Sequence, residues 1–168
     1  MDAAAVFCVR VGPHRPEGAD HLPHFQLPEG YTDGWPYFEK LCLDGFAWRY
    51  PNGTEENRQQ LRYEMEMIRK MGFVDYFLIV WDFINYAREQ GSAHSDKLYM
   101  AYSRLANKYA GIETRDTATG EQLNELSIYE RIALNMMQAG MRAGKHYKAI
   151  YQDTKTRFEA VQDMAFLA

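Results

Sequence analysis

The sequence predicts a mostly α-helical protein: an extended, loop-rich N-terminal arm followed by about five or six helices in two small helical subdomains. Three observations carry that prediction. Four of the six prolines and four glycines fall within residues 1–34, a density that forbids long regular elements. From Trp35 onward, apolar residues recur at helical spacing in run after run. Short joints such as YPNGT and SAHSD separate the runs, and the chain shows no internal repeat and no low-complexity tract.

Taken in order, residues 1–34 form the arm, with a short strand predicted near Ala5–Val11. In WPYFEKLCLDGFAWRY, Phe38, Leu41, Cys42 and Phe46 stand at helical spacing before YPNGT stops the helix. Thr54 caps a second helix, with Glu55 and Glu56 in its first turn, a stripe of Leu61, Met65 and Ile68, and Gly72 at its end. Asp75 is the expected cap of a third helix, whose residues Tyr76 to Ile84 are apolar nearly all round and must be covered by neighbours. Such a run of aromatic and β-branched residues also fits a strand in its first half. These elements make up a segment of residues 35–92. The second segment, 95–168, opens with a helix over KLYMAYSRLANKYAG closed by Gly111, and continues through a turn or hairpin-sized excursion over 112–121. Ser127 and Glu130 form a capping-box pattern before IYERIALNMMQAGMRAG, where Gly140 or Gly144 ends the helix or lets another approach. A last helix offers Tyr147, Ile150, Tyr151, Phe158, Val161 and Met164 for packing.

At 168 residues and 46% hydrophobic, the chain is long enough to bury a core. A formal net charge of −4, from 19 basic and 23 acidic residues, lacks the basic excess of a dedicated nucleic-acid binder. Cys8 and Cys42 have no metal-ligand spacing and read as reduced thiols. The opening MDAAAVFCVRVGP is a poor signal peptide, and no apolar stretch approaches the roughly 18 residues of a membrane span, so a soluble cytoplasmic protein without membrane partner is expected.

Three stretches, HLPHFQLPEGY, YFEKLCLDGFAWRYPN and LRYEMEMIRKMGFVDYFLIVWDFINYAREQG, together resemble the alpha subunit of bacterial DNA polymerase III over about residues 21–91. Met71, Gly72, Phe73 and Tyr76 to Val80 are the most family-specific. The resemblance implies a scaffold position, between an N-terminal phosphoesterase-like domain and the glycine-rich nucleotide loop of the palm. Polymerisation there requires carboxylates that hold two divalent ions. After Gly91, however, this chain reads SAHSDKLYMAYS in place of a GPGRGS-like loop, and it contains no D-x-D pair. The resemblance therefore implies no polymerase activity, and no cofactor or metal is expected. The second half, about residues 97–168, resembles helical C-terminal regions of phage and prophage regulatory proteins through YSRLANKYAGIETRD and YERIALNMMQAGMRAGKHYKAIYQDTK.

Candidate chemistry is sparse. His14, His21 and His24 are loop histidines without a supporting carboxylate or thiol set, and His94 with Asp96 has no nucleophile placed by a motif. Cys42 reads as a small core residue. Candidate phosphate contacts are Arg104, Lys108, Arg142, Lys145, Lys148, Lys155 and Arg157, interleaved with Tyr99, Tyr102, Tyr109, Tyr147 and Tyr151. The competing reading puts those tyrosines at the core edge and the cations on a solvated face. Met136, Met137, Met141, Tyr147 and Tyr151 form the candidate protein-binding surface. The expected function is a non-catalytic binding protein, a phage- or mobile-element-encoded regulator or inhibitor that occupies a host protein surface in replication or defence machinery. The alternative is a fragment or fusion of polymerase III alpha with a DNA-replication scaffolding role and no polymerase activity; nucleic acid is the second possible partner.

Overall fold

The computed structural model describes residues 22–165; the predicted strand near Ala5–Val11, with His14 and His21, lies outside them. Among the described residues the chain is helical, with six α-helices, two single 3-10 turns and no strand. Helix α1 spans Gly34–Arg49, α2 Glu55–Lys70, α3 Val74–Glu89, α4 Leu98–Tyr109, α5 Gly120–Arg142 and α6 Tyr147–Ala165.

Local chemistry sets most of these boundaries. Asp33 accepts from the Trp35 amide at 3.0 Å and starts α1. Beyond α1, Gly53 sits where a Cβ would stand 2.7 Å from the Phe46 ring. Thr54 and Asn57 exchange backbone and side-chain hydrogen bonds in a capping box that opens α2. Helices α2 to α5 all end the same way. At Gly72, Gly91, Gly111 and Gly144 the backbone turns left-handed, with φ between 64° and 83°. The next residue donates back five positions: Phe73 to Ile68, Ser92 to Ala87, Ile112 to Asn107 and Lys145 to Gly140. This is the Schellman arrangement, in which glycine carries the left-handed residue at least cost.

Three expectations are corrected. Asp75 does not cap α3, which follows Phe73 with no side-chain cap at all. The Asp75 carboxylate instead accepts from the Phe25 amide at 3.2 Å and meets His24 Nδ1 at 2.9 Å, fastening the arm to α3. Ser127 and Glu130 lie inside α5, which begins seven residues earlier, where Thr119 and Gln122 form the capping box. Of the two forms expected over 112–121 the turn is the one found, a 3-10 turn at Arg115–Thr117. Met164, offered for packing, is exposed near the end of α6.

Helix α3 is apolar all round because it is covered on two sides. Its Phe77 and Leu78 join Phe38, Cys42, Met65 and Ile68 of α1 and α2 in one cluster. Its Ile79, Val80, Phe83 and Ile84 enter a larger cluster with residues of α4, α5 and α6, including Tyr102, Leu105, Leu126, Tyr129, Leu134, Ile150 and Phe158. Polar contacts reinforce the junction. Buried Gln138 on α5 donates to the His24 carbonyl at 2.9 Å, the Tyr86 hydroxyl donates to the Lys145 carbonyl at 2.8 Å, and Gln90 Oε1 accepts from the first amide of α6, Tyr147, at 2.8 Å.

Candidate binding surfaces

The α5–α6 hairpin carries most of the residues singled out by sequence. Its close approach depends on Gly140, where a Cβ would stand 2.5 Å from Ile150. Met137 is only 3% exposed and belongs to the core, so it is not available as a surface residue. Met136, Met141, Tyr147 and Tyr151 remain half-buried. Tyr151 packs edge-on against Tyr102 at 5.2 Å, and Tyr147 lies against His146 at 4.6 Å. Met136 lines an open groove of about 630 Å³ between α5 and α6 formed with Ile132, Asn135, Asp153, Thr156, Arg157 and Ala160.

The seven cations do not form one stripe. Lys145 pairs with Asp153 at 2.6 Å and Lys155 lies 3.8 Å from Glu159. Lys108 and Lys148 sit over Tyr109 and Tyr147, each at 5.9 Å from the ring centre. Arg104, Arg142 and Arg157 are exposed and make no ion pair among the described residues. The tyrosines meant to stack on bases are turned inward. Tyr102 is buried with its hydroxyl near Thr154, and burial pushes its ionisation upward. Tyr99 and Tyr109 are half-buried, and the Tyr109 hydroxyl donates to Glu159 at 3.3 Å.

A polar junction that the sequence did not announce lies where α3, α4 and α5 meet. Arg115 Nη2 reaches Glu130 Oε1 at 2.9 Å and Ser103 Oγ at 3.4 Å, beside Tyr76 and Tyr99. Burial raises the Glu130 carboxyl above its usual range, and the Arg115 guanidinium only partly opposes it. Burial likewise raises both tyrosines, with the Glu130 charge adding to the effect. A cavity of about 20 Å³ beside these groups has room for one water at most.

The remaining candidates stay apart. The His24 side chain is 94% exposed and touches only the carboxylate of Asp75. His94 and Asp96 are both exposed on the turn after α3. Cys42 is buried, and desolvation, with Glu39 adding, pushes its thiol up to about 12, which makes it inert as a nucleophile. No group of three or more His, Cys, Asp or Glu side chains among the described residues could hold a metal ion, and no helix among them is long and apolar enough to cross a membrane. The aromatic residues that do face solvent lie elsewhere: Trp48 and Tyr50 at the end of α1 and Tyr63 on α2. Their exposure follows from helical phase. Tyr63 lies two positions from both Leu61 and Met65, on the opposite face of α2.

The stretch that folds into α1, α2 and α3 is also the stretch with known counterparts. Residues 36–96 match the family model described as the bacterial DNA polymerase III alpha NTPase domain. DNA polymerase III subunit alpha of Bacillus subtilis (strain 168) is 40% identical over 74 residues, 44% of this chain. The corresponding subunit of Halalkalibacterium halodurans is 47% identical over 73 residues, 43% of the chain. The error-prone DNA polymerase of Symbiobacterium thermophilum is 44% identical over 69 residues, 41% of the chain. The chain spans 6% of the length of each of these relatives. It therefore resembles a segment of the polymerase III alpha subunit, and residues outside that segment gain nothing from the match. No solved structure matches the chain.

Proposed function

We propose that the chain is a non-catalytic scaffold associated with bacterial DNA replication, in which a polymerase III alpha-like helical unit is framed by α4, α5 and α6. The observation that carries this reading is the coincidence of the matched residues 36–96 with α1–α3 and their hydrophobic cluster of Phe38, Cys42, Met65, Ile68, Phe77 and Leu78. In this reading MGFVDYFLIVWDFINYAREQG is kept for packing. Gly91 ends α3, and the chain then enters a 3-10 turn and α4 where a phosphate-binding loop would need successive free amides. The proposed setting is the cytoplasm.

The test is affinity capture from a bacterial lysate with the tagged full chain, repeated after nuclease digestion and at high salt. The expected result is one stoichiometric replication protein that survives both treatments and is weakened by Trp48→Ala or Tyr63→Ala, whose rings are 60% and 63% exposed. Recovery of nucleic acid alone, lost in salt, overturns it. A second reading, the phage- or mobile-element-encoded inhibitor of a host surface, draws on the half-buried Met136, Met141 and Tyr147. It predicts that polar substitutions there abolish capture while Trp48→Ala and Tyr63→Ala leave it intact.

A further inference from the structure

We propose that the groove between α5 and α6 is a self-association face, which seats the same groove of a second copy of this chain about a two-fold axis. A two-fold contact places one patch against its own copy, so the patch must complement itself. The groove does so in both apolar and charged character. Ile132, Met136 and Ala160 line it, and Asp153 and Arg157 stand one helical turn apart on its α6 side. When two α6 helices run antiparallel across the axis, Arg157 of each copy comes opposite Asp153 of the other.

The charges are suitably placed for that exchange. Arg157 is exposed without an ion pair among the described residues, while Asp153 holds Lys145 through Oδ2 alone. A carboxylate offers two oxygens, so it can accept a second cation. The apolar strip also continues past the groove: Ile128, one turn before Ile132 on α5, is 42% exposed, and Met164, one turn after Ala160 on α6, is 60% exposed. A partner helix with only acidic residues would satisfy Arg157 but bring no second cation to Asp153, which already holds Lys145. A second copy satisfies both. The α6 part of the contact covers roughly 12 Å of helix, small beside a standard interface, so the dimer is weak.

Analytical ultracentrifugation of the full chain over roughly 1–300 μM reads this directly. The wild-type mass is expected to rise from 19.6 kDa toward twice that value. Arg157→Asp alone and Asp153→Arg alone place like charges opposite each other and should each remain monomeric. An equimolar mixture of the two restores both pairs and should recover the dimer. Ala160→Glu, at an exposed position, should abolish association without disturbing the helix and serves if Asp153→Arg fails to fold. A wild-type chain that stays at 19.6 kDa throughout overturns the proposal, as do single charge variants that associate like the wild type.

Discussion

The two sides of α3 differ in scale and in what they leave in solvent, mostly aromatic rings on one and the aliphatic Met100, Ile128 and Met164 on the other. Toward α1 and α2 it contributes Phe77 and Leu78 to a small cluster of rings and sulfur-bearing side chains, and that side leaves Leu43, Trp48, Tyr50 and Tyr63 in solvent. Toward α4, α5 and α6 it contributes Ile79, Val80, Phe83 and Ile84 to a much larger cluster. There Tyr102 and Tyr129 are buried, while Tyr99, Tyr109, Tyr147 and Tyr151 are partly covered around the rim. The central helix of the polymerase-like segment thus draws more of its burial from residues outside that segment than from those within it. Similarity and cohesion follow different boundaries.

The sharpest way to break that comparison is to cut after residue 92. This uncovers Ile79, Val80, Phe83 and Ile84, at about 1.5–3 kcal/mol each when fully exposed. The sum, roughly 6–12 kcal/mol, rivals the whole stability of a typical domain. Residues 1–92 alone are therefore expected to show no cooperative thermal transition by circular dichroism; a sharp melt would mean that the α1–α2 side suffices. Next in size are Phe83→Ala and Phe38→Ala, one from each cluster and both essentially inaccessible in the native chain. Each should cost about 3–5 kcal/mol in urea titration. A single transition with unchanged slope in both variants marks one cooperative unit, while two separated transitions would mark two.

Gly140→Val tests the larger side at its closest approach. The added carbons would meet Ile150, so the helices must part or the side chain leave its rotamer, at about 1–3 kcal/mol. The melting temperature should fall without loss of helix content, and an unchanged value would mean the hairpin has slack. Smaller still are the two capping boxes, one on each side of the comparison. Thr119→Ala and Thr54→Ala should each cost about 1 kcal/mol, measured as a shift in the urea midpoint.

These caps also show where sequence reading succeeds and where it stops. Thr54 was legible because no distant group competes for it, and Gly72 and Gly111 were legible because the left-handed turn is a local requirement of the backbone. Asp75 and Glu130 misled for one shared reason. Each has the right chemistry to start a helix, but the fold assigns it elsewhere: Asp75 to the arm at Phe25, Glu130 to Arg115 fifteen residues away. A local pattern cannot reveal a partner delivered by tertiary structure. The same limit applied to the mixture of tyrosines and cations. Composition gave both ingredients, but helical phase turned the tyrosines toward the core and left Arg104, Arg142 and Arg157 outside.

The smallest expected effect belongs to Glu130, and its sign follows from burial. Desolvation raises its carboxyl above the ordinary 4.5, while Arg115 pulls the other way without cancelling the rise; Tyr76 and Tyr99 are the other ionisable groups facing it. A raised carboxyl binds its proton more readily in the folded chain than in the unfolded one. Stability from this group is then greatest at low pH and declines as pH climbs from the unfolded value through the raised folded value. Glu130→Gln removes the titration, so the drop in unfolding free energy as pH rises above the ordinary carboxylate range should be shallower in the variant than in the wild type. Identical slopes would mean that Arg115 neutralises the carboxylate fully. The polar junction beside α3 would then be a balanced ion pair, and burial would impose no net penalty on it.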